Sequence, residues 1–181
     1  EEKGHEYDEI RDNMLGWDVT DYGKGDYMAL GLSLITLRNG NINDPRYSKS
    51  YAEKIMMLEP GQVSPMHYHW NKMEDIINRG GGVVRFDLYN ATEEGELDKE
   101  NDVLIYQDGR RYYVKPGEPV FLHPGESLTL YPEYYHEFSV PADSAPTLIG
   151  EVSQVNDDNT DNRFEYLDQR FPTIEEDEAP Y

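Results

Sequence analysis

Two histidines and a glutamate near the middle of the chain have the types and spacing to hold one metal ion. His67 and His69 lie two residues apart, and on a β-strand such residues point to the same face. Glu74 follows after a gap that suits a turn and the start of the next strand, so its carboxylate can return to the same point. Imidazole plus carboxylate, without thiolate, suits a divalent metal such as Mn, Fe, Co, Ni or Zn.

The spacing around these three residues is more specific than a His-x-His pair alone. From Gly61 to Gly81 the order is glycine, five residues, His67, one residue, His69, four residues, Glu74, six residues, glycine. This pattern resembles the first motif of the cupin family, in which a second motif supplies a third histidine.

Residues 132–138 offer that third histidine as His136. Where the second cupin motif usually has a glycine, this chain has Glu133, so the local turn departs from the usual pattern while the histidine is present. The expected metal ligands are His67, His69, Glu74 and His136.

Four further polar residues are candidates for proton transfer or substrate binding. Lys72 lies between His69 and Glu74; beside a dication in a cavity, like-charge repulsion and desolvation should lower its pKa, which favours proton transfer near neutral pH. Glu151 lies among apolar neighbours, where a buried acid needs a partner or a role. We expect Lys72 and Glu151 to be catalytic, with the order of their roles left open.

Arg79 and Asp87 are the candidates for binding substrate. Arg79 has the chemistry to clamp a hydroxyl or carboxylate, or to pair with an acid such as Asp75. Asp87 alternates with core residues and faces either the cavity or solvent. Both are expected at the site on these grounds.

Composition and charge exclude several classes of protein. The 181 residues suffice for one domain with a core, and the net charge of -21 repels phosphate backbones, so nucleic acid is not an expected partner. No apolar run approaches the roughly 20 residues of a membrane helix, so no membrane association is expected. The chain has 0 cysteines, which fits the cytoplasm. It starts at Glu1 without a methionine, so a leader or an N-terminal segment can be missing.

The order of turn signals and apolar alternation predicts an all-β fold. About nine to eleven short strands, separated by turn signals such as Asn39-Gly40 and Asp108-Gly109, are typical of a sandwich or barrel, and jelly rolls include the cupins. We expect an irregular N-terminal extension packed on the barrel (1–28), a cupin jelly-roll or double-stranded β-helix barrel (29–155), and a C-terminal loop with an acidic tail (156–181). Within the extension, Trp17 is expected to anchor an ordered loop.

The residues around the histidines resemble the D-lyxose isomerase (D-lyxose ketol-isomerase) family of cupin sugar isomerases. The likeness runs from about Leu15 to Glu178. The stretches that carry it are His67-Tyr68-His69-Trp70-Asn71-Lys72-Met73-Glu74-Asp75-Ile76-Ile77-Asn78-Arg79-Gly80-Gly81-Gly82, Leu15-Gly16-Trp17-Asp18-Val19-Thr20, Thr36-Leu37-Arg38-Asn39-Gly40, Tyr51-Ala52-Glu53-Lys54-Ile55-Met56 and Gly150-Glu151-Val152-Ser153.

This resemblance implies a Mn²⁺-dependent homodimer that interconverts an aldose and its 2-ketose, with D-lyxose, D-mannose or a related free sugar as substrate. By motif match it implies the same four metal ligands that the spacing indicates. Two alternatives remain open at this point: a cupin dioxygenase that uses Fe or Ni, and a sugar-binding cupin without enzymatic activity.

Overall fold

Residues 4–166 are described by a computed structural model, and nearly all of their regular structure is β-strand. A 3₁₀ turn (Gly4–Tyr7) and a short helix α1 (Asp8–Asp12) come first. The strands are β1 (Gly16–Thr20), β2 (Leu32–Arg38), β3 (Tyr51–Leu58), β4 (Val63–Tyr68), β5 (Glu74–Gly80), β6 (Val84–Ala91), β7 (Leu97–Asp98), β8 (Val103–Gln107), β9 (Arg110–Val114), β10 (Val120–Leu122), β11 (Ser127–Leu130), β12 (Tyr134–Ser139), β13 (Thr147–Gln154) and β14 (Arg163–Phe164).

The strands form two antiparallel sheets that enclose one core. The larger sheet has the order β1-β2-β3-β13-β5-β11-β8-β9, and the smaller has the order β10-β6-β12-β4-β14, with β7 paired to β6. A single cluster of buried side chains draws on both sheets. The predicted all-β jelly roll is confirmed. Within residues 4–166, no helix has the length and apolar character to span a bilayer.

Alternation along the strands decides which side chains enter the barrel. On β6, Val84, Phe86 and Leu88 are 0% exposed, and Phe86 stacks on Phe138 of β12 with ring centroids 5.5 Å apart. Burying each such side chain contributes about 1.5–3 kcal/mol. The barrel therefore has ample apolar packing apart from the polar side chains at its centre.

The N-terminal segment contributes a strand to the larger sheet. Residues Gly16–Thr20 pair with β2, and Trp17 is 66% exposed. The expectation of a loop anchored by Trp17 is wrong, because strand alternation turns Thr20 inward and Trp17 outward. At the other end, β14 pairs with β4. The division into 1–28, 29–155 and 156–181 stays a prediction, and the acidic tail beyond residue 166 lies outside the described residues.

The glycines after β5 allow a close backbone approach that a test can measure. A Cβ on Gly81 would lie 2.1 Å from the carbonyl oxygen of Pro146, whereas a Cβ on Gly80 would meet nothing within 4 Å. Both have positive φ, 101° for Gly81 and 148° for Gly80. We expect Gly81→Ala to lower the free energy of unfolding by about 1–3 kcal/mol more than Gly80→Ala. Equal losses in urea unfolding would contradict this packing.

Candidate metal centre

The three predicted histidine ligands converge inside the barrel. His67 on β4 lies opposite His136 on β12 in the strand register, and His69 follows directly after β4. One ligand atom from each of the three lies within 4.8 Å of the others. Ligand atoms of a single zinc-like ion lie roughly 3–4 Å apart, so small side-chain shifts suffice to bring all three onto one ion.

Backbone carbonyls set the tautomer of all three imidazoles. The Nδ1 atoms of His67, His69 and His136 lie 2.7, 2.8 and 2.9 Å from the carbonyl oxygens of Pro65, Asp161 and Tyr134. Because a carbonyl only accepts, each Nδ1 carries the hydrogen and donates it. Each Nε2 therefore keeps its lone pair available as a metal ligand, as in many metal sites whose ligands are held by an outer hydrogen bond.

Glu74 brings its carboxylate to the same point from the start of β5. Its Oε1 lies 3.5 Å from Nε2 of His69 and 3.2 Å from Nε2 of His136. The Glu74 side chain is 3% exposed. Geometry thus assembles the predicted donor set of three imidazoles and one carboxylate, which is a chemistry that suits divalent Mn, Fe, Co, Ni or Zn.

The protonation states in the barrel also favour a dication. Burial lowers the pKa of His67 well below its usual value, with help from His136 and His69, and burial together with the charge of Lys72 lowers the pKa of His69. Burial raises the pKa of Glu74, but Lys72 and the neighbouring imidazoles outweigh burial and hold it well below the usual value. At neutral pH these imidazoles are neutral and the carboxylate is charged, which is the form that binds metal.

Lys72 lies next to this donor set and is held by two carboxylates. Its Nζ is 2.7 Å from Oε2 of Glu74 and 2.8 Å from Oε1 of Glu151. Burial lowers the pKa of Lys72, but the charges of Glu151, Glu74 and Asp158 outweigh burial and raise it above the usual value. The expected drop in the Lys72 pKa is therefore wrong for this geometry, and the side chain is an ammonium ion.

Glu151 is held between two ammonium groups, one of which sequence reasoning missed. Lys54 is 2% exposed, and its Nζ lies 3.7 Å from Oε1 of Glu151. Burial raises the pKa of Glu151, but Lys54 and Lys72 outweigh burial and lower it below the usual value. The signal for Lys54 was present, because on β3 it alternates inward with Ala52 and Met56.

Asparagines connect these lysines to remote parts of the chain. Oδ1 of Asn156 accepts from Nζ of Lys54 at 2.8 Å and from Nζ of Lys72 at 3.2 Å. The backbone of Asn156 is held in turn by the Asn39 side chain, which accepts from its N–H at 3.0 Å and donates to its carbonyl at 2.9 Å. No local pattern in the sequence indicates a pair that is 117 residues apart.

Two further residues fix the loops that carry the histidines. The carboxylate of Asp161 accepts from the backbone N–H groups of Asn71 and Lys72 at 2.9 and 3.0 Å, while its carbonyl holds His69. Glu133 has φ 63°, the left-handed conformation that glycine would adopt there, and its N–H donates to the carbonyl of His69 at 2.8 Å. The turn of the second motif thus keeps a glycine-like conformation without a glycine.

Aromatic side chains close the cavity in front of the histidines. Phe164 of β14 stacks on His67 with centroids 5.3 Å apart, and Tyr22 contacts Phe164 edge-on at 5.9 Å. The Tyr22 hydroxyl is 3.1 Å from Oγ of Ser64. The space left inside is about 30 Å³, room for an ion or a water molecule, so a sugar enters only if lining side chains move aside.

The structure does not bring Arg79 and Asp87 into this cavity. Arg79 is exposed on β5, where Ile76 and Asn78 point inward instead. Asp87 faces away from the barrel between Phe86 and Leu88 and accepts a hydrogen bond from Nη2 of Arg85 at 2.8 Å. Strand alternation places both carbonyl-flanking side chains on the outside, so their predicted role in substrate binding is not supported by the position of either residue.

Fold and site together define a cupin-type protein with a three-histidine, one-glutamate centre beside a lysine–glutamate pair. A sequence profile of the D-lyxose isomerase family matches residues 1–181. The chain therefore belongs to the D-lyxose isomerase family, and it is an aldose–ketose isomerase. The expected resemblance and the expected enzyme class are confirmed.

Relatives and solved structures agree with this assignment. The D-lyxose/D-mannose isomerase of Escherichia coli O157:H7 is 46% identical over 172 residues, 95% of this chain and 75% of the relative. The protein of the same name from Serratia proteamaculans is 48% identical over 174 residues, 96% of this chain and 76% of the relative. In fold, the chain is similar to the L-ribose isomerase of Cellulomonas parahominis, with TM-score 0.61 and 17% identity over 87% of this chain and 82% of that one.

Proposed function

We propose that the enzyme interconverts free D-lyxose and D-xylulose, or D-mannose and D-fructose, with a divalent metal, Mn²⁺, held by His67, His69, Glu74 and His136. The observation that carries this proposal is the convergence of those four side chains beside the Lys72–Glu151 pair. The names of the two relatives support the choice of sugars. A bound dication would serve as template and Lewis acid for the sugar oxygens O1 and O2.

The chain's own residues supply the proton chemistry in this proposal. Isomerisation of an aldose moves the proton on C2 to C1 and the proton on O2 to O1. Glu151 is a carboxylate because Lys54 and Lys72 lower its pKa, so we assign it the C2 proton, which it returns to C1. Lys72 is an ammonium ion, so it donates hydrogen bonds to the sugar oxygens and stabilises their negative charge. The roles left open by the sequence are thus assigned by charge.

The remaining parts of the proposal concern assembly and location. We propose that the enzyme is a homodimer, as the family resemblance implies, and that it acts in the cytoplasm, which its 0 cysteines fit. The substrate is a small sugar, in keeping with the isomerase family.

A metal titration with a sugar panel tests the proposed function. Protein stripped of metal with a chelator should have no isomerase activity, and added Mn²⁺ should restore turnover of D-lyxose or D-mannose more than that of the other pentoses and hexoses. The reason is that neutral imidazoles and a charged Glu74 form a site with no other cation for its donor atoms. Full turnover by metal-free protein would contradict the metal requirement, and turnover of neither sugar would contradict the substrate assignment.

A further inference from the structure

The outer face of the larger sheet carries an unusual amount of exposed apolar surface. Its outward side chains on β1, β3 and β13 are at least 38% exposed and include an aromatic residue on each of β1 and β3. These side chains are Trp17 66%, Val19 59%, Tyr51 46%, Met57 39%, Leu148 41% and Val152 38%. Monomeric proteins rarely leave contiguous apolar patches of more than a few hundred Å² uncovered.

Strand register shows that this surface is continuous. Trp17 of β1 pairs with Ile35 of β2, and Ile35 pairs with Ile55 of β3. Ile55 pairs with Gly150 of β13, which pairs with Ile77 of β5. These residues form one row across five adjacent strands, and Met57 and Leu148 form a second cross-strand pair beside it. The face is therefore a broad apolar sheet surface.

The charges in the middle of this face are arranged to match a second copy of themselves. Asp75 and Arg79 flank Ile77 on the outer side of β5. Arg79 lies across Gly150, where a Cβ would be 2.8 Å from its Nε. Within residues 4–166, no acidic group lies within ion-pair distance of Arg79. If two copies of β5 cross face to face and antiparallel at Ile77, Asp75 of each copy lies opposite Arg79 of the other.

We propose that the outer face of β1, β2, β3, β13 and β5 packs against the same face of a second copy of this chain in a two-fold contact. Such a contact is isologous, so each residue pair occurs twice. A chain with net charge -21 can associate with itself only through a region without excess negative charge, and this face pairs its charges. The proposal goes beyond a homodimer as such, because it assigns the surface and the register.

The contact would lie directly behind the metal centre. The strands that point Ile55, Ile77 and Val152 outward also point Lys54, Ile76 and Glu151 inward. Packing a second copy on one side of these strands would therefore hold the charged residues on the other side in place.

Sedimentation velocity on the full chain and two glutamate variants tests the surface. The parent protein should be a dimer at micromolar concentration. Met57→Glu places a carboxylate in the contact and should raise the dimer dissociation constant by at least about 100-fold. Phe121→Glu is the matched control, because Phe121 is 46% exposed on β10 of the smaller sheet, and it should leave the dimer intact.

A charge exchange tests the register independently of apolar packing. Arg79→Asp places two aspartates opposite each other and should weaken the dimer at least about 10-fold, and the double variant Asp75→Arg, Arg79→Asp should restore it. Circular dichroism confirms that each variant is folded; if Met57→Glu does not fold, the charge exchange decides. A monomeric parent, a Met57→Glu dimer as tight as the parent, or a double variant no tighter than Arg79→Asp would overturn the proposal.

Discussion

Replacing Glu74 by alanine should remove bound metal and activity together while leaving the fold intact. Residues that only orient metal ligands contribute about 10–100-fold to affinity, so loss of a ligand should weaken metal binding by at least about 100-fold. The barrel survives because Glu74 lies outside its apolar core, and Lys72 keeps Glu151 as a counterion at 2.8 Å. Metal content by mass spectrometry, turnover and thermal unfolding are the measurements.

A surface glutamate provides the control for this experiment. Glu94 is exposed in the loop after β6, so Glu94→Ala should keep metal, activity and melting temperature. Full activity and unchanged metal content in Glu74→Ala would place the metal centre elsewhere. Loss of activity with metal retained would mean that Glu74 acts on the sugar and is not a ligand.

The second large effect is expected from Glu151→Gln, which keeps the shape of the side chain and removes its charge. If Glu151 carries the C2 proton, kcat should fall about 10²–10⁴-fold with metal content unchanged. Lys72→Met should also lower kcat if the ammonium stabilises charge that develops in the transition state, whereas a simple hydroxyl contact would raise KM instead.

Isotope exchange separates proton transfer from a hydride shift. Turnover in deuterated water should place solvent deuterium on the reacting carbon if Glu151 carries the proton and exchanges it with solvent. Near-normal kcat in both Glu151→Gln and Lys72→Met, with metal bound, would be incompatible with the proposed roles, and the acids of the neighbouring loop, Asp158 first, would become the candidates.

The histidine positions were predictable because they depend on short-range periodicity. Two residues on one strand share a face whatever the rest of the fold does, so His67 and His69 had to point together. Alternation also identifies the barrel interior on β6, where Val84, Phe86 and Leu88 are buried. The same rule, applied strictly, turns Asp87 outward, and the parity of Glu74, Ile76 and Asn78 turns Arg79 outward on β5.

What the sequence could not provide are the partners that come from distant segments. The pKa of Lys72 depends on Glu151, 79 residues away, and a lysine beside a dication alone would shift in the opposite direction. Likewise, Asn156 reaches Lys54 across 102 residues. Such pairs follow from the closure of the sheets and have no local signature, so the sign of the charge on Lys72 required the structure.

The place of β13 in the larger sheet has a consequence for how the protein folds. This strand (Thr147–Gln154) is late in the chain, yet it lies between β3 and β5 and separates them. Until it is inserted, those two strands present open edges, which are sites of aggregation. Pairing between distant segments also slows folding. During synthesis the N-terminal strands emerge first, so the sheet closes and Glu151 reaches the centre only after most of the chain has left the ribosome.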